Sequence, residues 1–548
     1  MPNPFLRIFL ALLAITLLTS CAVSGGYWVP PSSPPTQVLF LPTAPASGGQ
    51  PLEAPAPLET ALAEPVLPTE PDPFSTLDPA LLLTMPVDTP TLDMAVLSTP
   101  TATPEIYVVD TSPILYYAQA ADTLRVVAVR FGVAQNEISS PEPVSETGFI
   151  NPGQLLIIPR RLANTTTSRQ IIPDSEVVYS PSAVDFDSVV YADTTGGYLA
   201  SFREWHKSTG MKSGAEIVER VALENSINPR LLLALLEFHS HWVYSQPDTP
   251  DQKEYPLGRL EPRERGLYNQ LVWTVNQLAI GYYAYREGRL TEIRFSDGAR
   301  TRLAPDLNAG TAALQYYFAQ LYDSTRWLEA LDAETGFPSL HALMFGDPWE
   351  RARTVEPLYP PGIVQPSLIL PFGRSWTWSY TGGPHGAWEH DGAYAALDFA
   401  PGAAEAGCID TPAWAVASAA GLVVRTGPGL VVLDLDGDGH EQTGWVIVYL
   451  HLAENGRAKQ GAWVAAGDPL GHPSCEGGFS TGTHLHIARK FNGEWVPADG
   501  ALPFNLGGWV AHAGPLAYKG TLTRGDVTLE ACTCSNYKTF ITRTESDP

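Results

Sequence analysis

Between Pro30 and Pro104 the chain carries 18 prolines, eight acidic residues and neither lysine nor arginine. Proline removes a backbone donor and fixes φ, so such a stretch stays extended instead of packing. Residues 22–105 therefore read as a semi-rigid tether, and any folded core is confined to residues 106–548. At roughly 150 residues per domain, 548 residues suggest three or four domains. Charge narrows the partners. Against 58 Asp+Glu stand only 33 Lys+Arg, a net charge of −25. That balance argues against nucleic acid, whose phosphates need clustered cations.

The segment before the tether sets the compartment. Arg7 is the only charged side chain before Cys21, and Ile8 to Leu18 is almost wholly apolar. A membrane span needs about 20 such residues, so this run fits the core of a signal peptide, residues 1–21. It ends in Leu18-Thr19-Ser20-Cys21, which resembles a bacterial lipobox. The resemblance implies lipidation of Cys21, export, and an anchor in a membrane of the cell envelope.

Residues 106–162 form the first compact segment. Leu124, Val127, Ala128 and Phe131 fall on one helical face, Asp122 is placed to cap the helix, and Gly132 to end it. The turn Asn151-Pro152-Gly153-Gln154 feeds a strand from Leu155 to Ile158. The Ala-Asp-Thr-Leu start, Arg-Phe-Gly-Val end and Asn-Pro-Gly-Gln-Leu-Leu-Ile-Ile-Pro finish resemble a LysM module. That implies a βααβ fold and binding of N-acetylglucosamine-containing glycans. Residues 163–197 read as a linker.

Residues 198–355 read as mostly helical. Ser213-x-x-Glu216 is a capping box, Asn228-Pro229 starts a second helix, and Leu231 to Leu236 contains no polar residue. The stretch Asn228 to Trp242 resembles the catalytic-glutamate helix of lysozyme-like lytic transglycosylases. The glutamate position holds His239, and Glu237 lies about 200° away around the helix. Histidine does not supply the carboxylic acid that protonates a glycosidic oxygen, so this region is expected to be inactive.

The chemistry gathers in residues 356–525. In Gly482-Thr483-His484-Leu485-His486-Ile487-Ala488, alternation puts both histidines on one face of a strand. Val446 to Leu452 is a β-branched strand ending at His451, and Ala396-Leu397-Asp398-Phe399 is preceded by His385 and His390. The set resembles the lysostaphin/LytM zinc metallopeptidases, which implies a mostly antiparallel-β domain, one Zn2+ and hydrolysis of peptide bonds in peptidoglycan stems or cross-bridges. By that resemblance Asp398 and His486 are zinc ligands, while His451 and His484 stand beside the metal and act on water and oxyanion. The third ligand is His385 or His390, with the Gly382-Gly383-Pro384 turn favouring His385. A wall-binding protein without catalysis is the alternative function.

Asp434-Leu435-Asp436-Gly437-Asp438-Gly439 resembles a calcium loop, but position twelve, which should be a bidentate glutamate, is Trp445. A turn between two strands explains it without metal. After Cys21 come Cys408, Cys475, Cys532 and Cys534, which allow three pairings. Cys408 with Cys475 is favoured because both flank the proposed site; Cys532 and Cys534 stay open. Residues 526–548 read as a tail. The whole is a multidomain α+β chain.

Overall fold

The computed structural model describes residues 112–388, 391–402, 407–534 and 537–547. The signal segment, Cys21 and the proline-rich tether lie outside these residues, as does His390.

The first module pairs β1 (Ile114–Tyr117) antiparallel with β2 (Leu155–Ile158), and α1 (Leu124–Phe131) packs on them through Val127 and Phe131. Two details differ from expectation. Thr123, not Asp122, caps α1, accepting from the backbone of Val126. Asp122 instead accepts from Tyr116 Oη and pairs with Arg130, deep under the helix. The expected second helix is a single 3-10 turn, Gln135–Glu137, because Pro141 and Pro143 close off any longer helix. The module is docked, not free: Gln119 donates to the carbonyls of Asp306 and Leu307, and Arg302 to those of Val129 and Arg130.

A helical layer comes next. Its centre is α2 (Gly214–Asn225), α3 (Pro229–Ser240), α4 (Leu267–Arg286) and α5 (Ala309–Leu321). The Ser213–Glu216 capping box and the Asn228 cap form as the sequence predicts. Leu231 to Leu236 are wholly buried. Two short hairpins, Arg203–His206 with Gly210–Ser213 and Glu292–Arg294 with Arg300–Arg302, interrupt the helices. His239 sits between the hydroxyls of Tyr317 and Tyr322, at 3.0 and 3.2 Å. Burial, then Arg326, pushes its imidazole down to about 3. Glu237 turns away and accepts from the backbone of Val243 and Tyr244.

The last part is a nine-stranded antiparallel sheet. Its strands are β3 (Thr377–His385), β4 (Ala396–Pro401), β5 (Gly421–Gly427), β6 (Leu430–Asp434), β7 (Trp445–Leu450), β8 (Trp463–Val464), β9 (Leu485–Phe491), β10 (Glu494–Trp495) and, beyond a smaller sheet, β15 (Phe540–Thr542). The order is β8-β5-β6-β7-β9-β4-β3-β15, with β10 folded back on β9. The smaller sheet is β11 (Asn505–Leu506), β12 (Trp509–Ala513), β13 (Gly520–Arg524) and β14 (Val527–Glu530). Residues 526–548 are therefore not a tail. Ile541 is buried and β15 hydrogen-bonds along β3; its three residues are too short to show a strand period in the sequence.

Alternation divides the sheet into two faces. Leu397, Phe399, Ile447, Tyr449, Leu485 and Ile487 build one core with the smaller sheet. Ala396, Leu430, Val432, Val446, Val448 and Ala488 face the other way and join the core of the helical layer. Residues 105–548 make one compact unit.

Candidate metal centre

Three strands place the site. Asp398 of β4 is the register partner of His486 in β9 and of Gly382 in β3. Both Asp398 and His486 sit between residues of the sheet-side core, so they project from the face that the helical layer covers. His385 ends β3 and reaches the same point. Its Nε2 lies 3.1 Å from His486 Nδ1, and each nitrogen is 3.3 Å from Asp398 Oδ1.

The other ring nitrogens settle the tautomers. His385 Nδ1 donates to the carbonyl of Gly383 at 2.8 Å, and His486 Nε2 to that of Ala387 at 3.0 Å. The two nitrogens that face each other are then both lone pairs. They share the space with Asp398 Oδ1, a buried oxygen with no hydrogen-bond partner. Two lone pairs and a carboxylate oxygen at that spacing repel unless a cation lies among them. A tetrahedral metal about 2.0–2.2 Å from each donor would separate the donors by about 3.4 Å, close to the 3.1 and 3.3 Å seen. The donor set suits zinc, and each imidazole has the carbonyl partner that orients metal-binding histidines.

Two more histidines complete the pocket. His451 follows β7 with φ +65°, a left-handed conformation in a residue other than glycine. Its Nδ1 donates to the Glu476 carbonyl at 2.8 Å. His484 Nδ1 donates to the Gly482 carbonyl at 2.8 Å, and its Nε2 stands 3.8 Å from Asp398 Oδ1. The two rings are 4.4 Å apart, and in each Nδ1 is the nitrogen that donates to a carbonyl. Burial, then the neighbouring His484 and His486, hold the His451 imidazole down at about 3.

All five expected residues, His385, Asp398, His451, His484 and His486, thus converge. Of the two candidates for the third position, His385 lies at the triangle, and His390 is outside the described residues. Two further residues shape the site: Tyr518, which no motif marks, and Gly382 of the Gly-Gly-Pro turn. Tyr518 stacks on the His385 ring with centroids 4.1 Å apart, and its backbone bonds to Gly383 and Pro384. Gly382 faces Asp398 so closely that a Cβ there would fall 2.4 Å from Oδ2. Asp434, Asp436 and Asp438 also gather, but Asp434 accepts from the backbone of Asp436, Gly437 and Gly439 and so closes the turn itself. The cysteines pair as Cys408–Cys475 and Cys532–Cys534.

Residues 170–359 match the family model of the LasA N-terminal domain. Protease LasA of Pseudomonas aeruginosa strain UCBPP-PA14 is 26% identical over 312 residues, 53% of this chain and 69% of that protein. The strain PAO1 protein is 27% identical over 323 residues, with the same shares. Over about half of its length the chain is therefore similar to the LasA protease. Solved structures include the M23 metalloprotease pseudoalterin, 23% identical over 31% of this chain and 96% of its own, with a TM-score of 0.26. The catalytic domain of lysostaphin from Staphylococcus simulans is 24% identical over 22% of this chain and 89% of its own, with a TM-score of 0.17.

Proposed function

We propose that the chain is a zinc-dependent endopeptidase that hydrolyses peptide bonds in peptidoglycan at the cell envelope. The observation that carries this is the triangle of His385 Nε2, His486 Nδ1 and Asp398 Oδ1, its edges 3.1 and 3.3 Å, with the rings of His451 and His484 beside it. His385, Asp398 and His486 would hold the metal. Bound there, zinc supplies Lewis acidity toward water and the scissile carbonyl.

The chain's own residues do the rest. His484 takes the proton of the attacking water at Nε2, and the Gly482 carbonyl on Nδ1 stabilises the imidazolium that results. To donate toward the developing oxyanion, His451 must carry protons on both nitrogens, the second taken up at Nε2 from solvent. The Glu476 carbonyl favours that form, whereas burial and the neighbouring rings oppose it until negative charge develops. The proton taken at His484 is then available for the leaving amine. Tyr518 fixes the plane of His385 by stacking. Lipid anchoring through Cys21 and glycan binding by the 106–162 module would hold the enzyme at its substrate; the helical region would act as a scaffold without transglycosylase activity.

Digestion of purified peptidoglycan with and without chelator, read by mass spectrometry, tests the reading. Chelator-sensitive release of peptides without glycan cleavage supports it; a zinc-loaded protein that leaves every peptide bond intact overturns it. His486→Ala, Asp398→Ala and His385→Ala should lose both zinc and turnover. His451→Ala and His484→Ala should keep zinc and lose roughly 10²- to 10⁴-fold in kcat. His390→Ala should retain zinc.

A further inference from the structure

The ligand triangle and the outer histidines are held by different means. His385, Asp398 and His486 belong to laddered strands. The groups that orient His451 and His484 belong instead to the segment from Ser474 to Gly482. Ser474 donates to the His451 carbonyl through both backbone and hydroxyl, and accepts from the His484 backbone. Glu476 supplies the carbonyl for His451 Nδ1 and Gly482 the carbonyl for His484 Nδ1. Ser480 Oγ donates to Gly482 and lies 3.3 Å from His484 Nδ1.

Its other ties lie at the surface: Glu476 accepts from the Glu454 backbone at 3.0 Å and lies 3.5 Å from Arg457 Nη1, and Gly477 abuts the Pro428–Gly429 backbone. None of its residues is buried, Phe479 is 85% exposed, and Gly477 and Gly478 have φ of +82° and +154°. A loop without an apolar anchor opens at low cost. The covalent tie is Cys475, bonded to Cys408 across 67 residues. At the other end, Thr483 Oγ1 and backbone bond to Gly407 and Ile409, the neighbours of Cys408.

We infer that the Cys408–Cys475 disulfide is a positioning device for His451 and His484, which keeps both as Nδ1–H tautomers with Nε2 aimed at the metal centre. The role rests on the peptidase reading for its effect on turnover, but not for its effect on the rings. Opening the bridge leaves the ligand triangle intact and lets the two outer imidazoles rotate and exchange tautomers. The protein should then bind metal and substrate and turn over slowly.

The test uses the full chain, oxidised and after treatment with dithiothreitol. The dithiol gives two electrons and two protons to the Cys408 and Cys475 sulfurs and leaves as a cyclic disulfide. Cys408→Ser/Cys475→Ser removes the bridge permanently, and Cys532→Ser/Cys534→Ser controls for the other one. Expected is a fall in kcat of at least roughly tenfold with KM nearly unchanged, the same zinc per chain, and recovery on reoxidation. The Cys532/Cys534 control should keep both its activity and its sensitivity to dithiothreitol. Nitrogen-15 NMR of the zinc-free protein should show single Nδ1–H tautomers for His451 and His484 when oxidised and mixtures when reduced. Unchanged kcat, or loss of zinc alongside activity, overturns the inference, as do unchanged tautomers. If the double variant does not fold, reduction of the folded wild type, followed by circular dichroism, decides. A wild type that cleaves nothing sinks the peptidase reading, while the tautomer spectra still judge the clamp.

Discussion

Gly382 shows how little room the ligand set leaves. The close approach of β3 and β4 that joins His385 to Asp398 depends on the missing Cβ, since one added there would meet Asp398 Oδ2 at 2.4 Å and its Cγ at 2.9 Å. Gly382→Ala must push the carboxylate out of line with His385 and His486. The expected result is zinc affinity lowered roughly 10- to 100-fold, measured by competition with a chromogenic chelator, in a protein that still unfolds cooperatively. Unaltered affinity would mean that Asp398 has slack the structure does not show. The neighbours of this glycine were legible to different degrees. His484 and His486 are visible because a strand has period two, and His451 because it ends a β-branched run. His385 could not be separated from His390 by spacing, since an insertion stretches the histidine–aspartate interval. Tyr518 had no signal at all: it reaches His385 through a turn of the smaller sheet, more than a hundred residues downstream, and stacking leaves no spacing rule.

The elements around the site owe their arrangement to buried charge as much as to apolar period. The loop between β6 and β7 brings Glu441 under Arg425 of β5 and Lys490 of β9, with contacts of 2.5 to 3.0 Å. All three are buried or nearly so, and Arg425 also reaches the Leu223 carbonyl of α2. Burial raises the Glu441 carboxyl, but Arg425 and then Lys490 more than offset it and bring it down to about 2. A depressed carboxyl contributes stability that is present above its ordinary value near 4.5 and is lost as pH falls toward about 2. Glu441→Gln strands two cations, so chemical denaturation at neutral pH should show a loss of about 3–5 kcal/mol. The acid limb of the wild type should be shallower in the variant; equal limbs would place the acid transition elsewhere. From the sequence this stretch announced only its Asp-Gly turn. Helix ends were readable wherever a cap is local, as at Ser213 and Asn228, and failed at Asp122, whose carboxylate was drawn away by Arg130.

The whole molecule is joined by a second buried cluster with the opposite sign. Arg286 of α4 lies 2.9 Å from Glu494 of β10 and 3.2 Å from Asp174, while Glu356 accepts from the Ser175 backbone beside them. Three carboxylates thus face one guanidinium, walled by Tyr282, Tyr283 and Tyr359, where the helical layer meets the sheet. No local pattern reveals such a meeting, because its members are spread over more than three hundred residues, from Asp174 to Glu494. Nor could the sequence show that the helical layer covers the face from which Asp398 and His486 project. Burial raises Glu494, with Asp174 adding to it and Arg286 opposing; burial, then Asp174, raises Glu356. Each is pushed up to about 7. A raised carboxyl holds its proton in the folded state after the unfolded chain has released it. Its contribution is therefore most favourable below about 4.5 and declines as pH rises through about 7. The full chain should melt at progressively lower temperature across that window. Glu356→Gln keeps the amide oxygen that accepts from Ser175 and removes one titration, so the decline should flatten and the variant should melt above the wild type on the alkaline side. Scanning calorimetry at a series of pH values measures it. Parallel curves for the two proteins would show that Glu356 ionises as freely in the folded chain as in the unfolded one, and would remove it from the junction's charge balance.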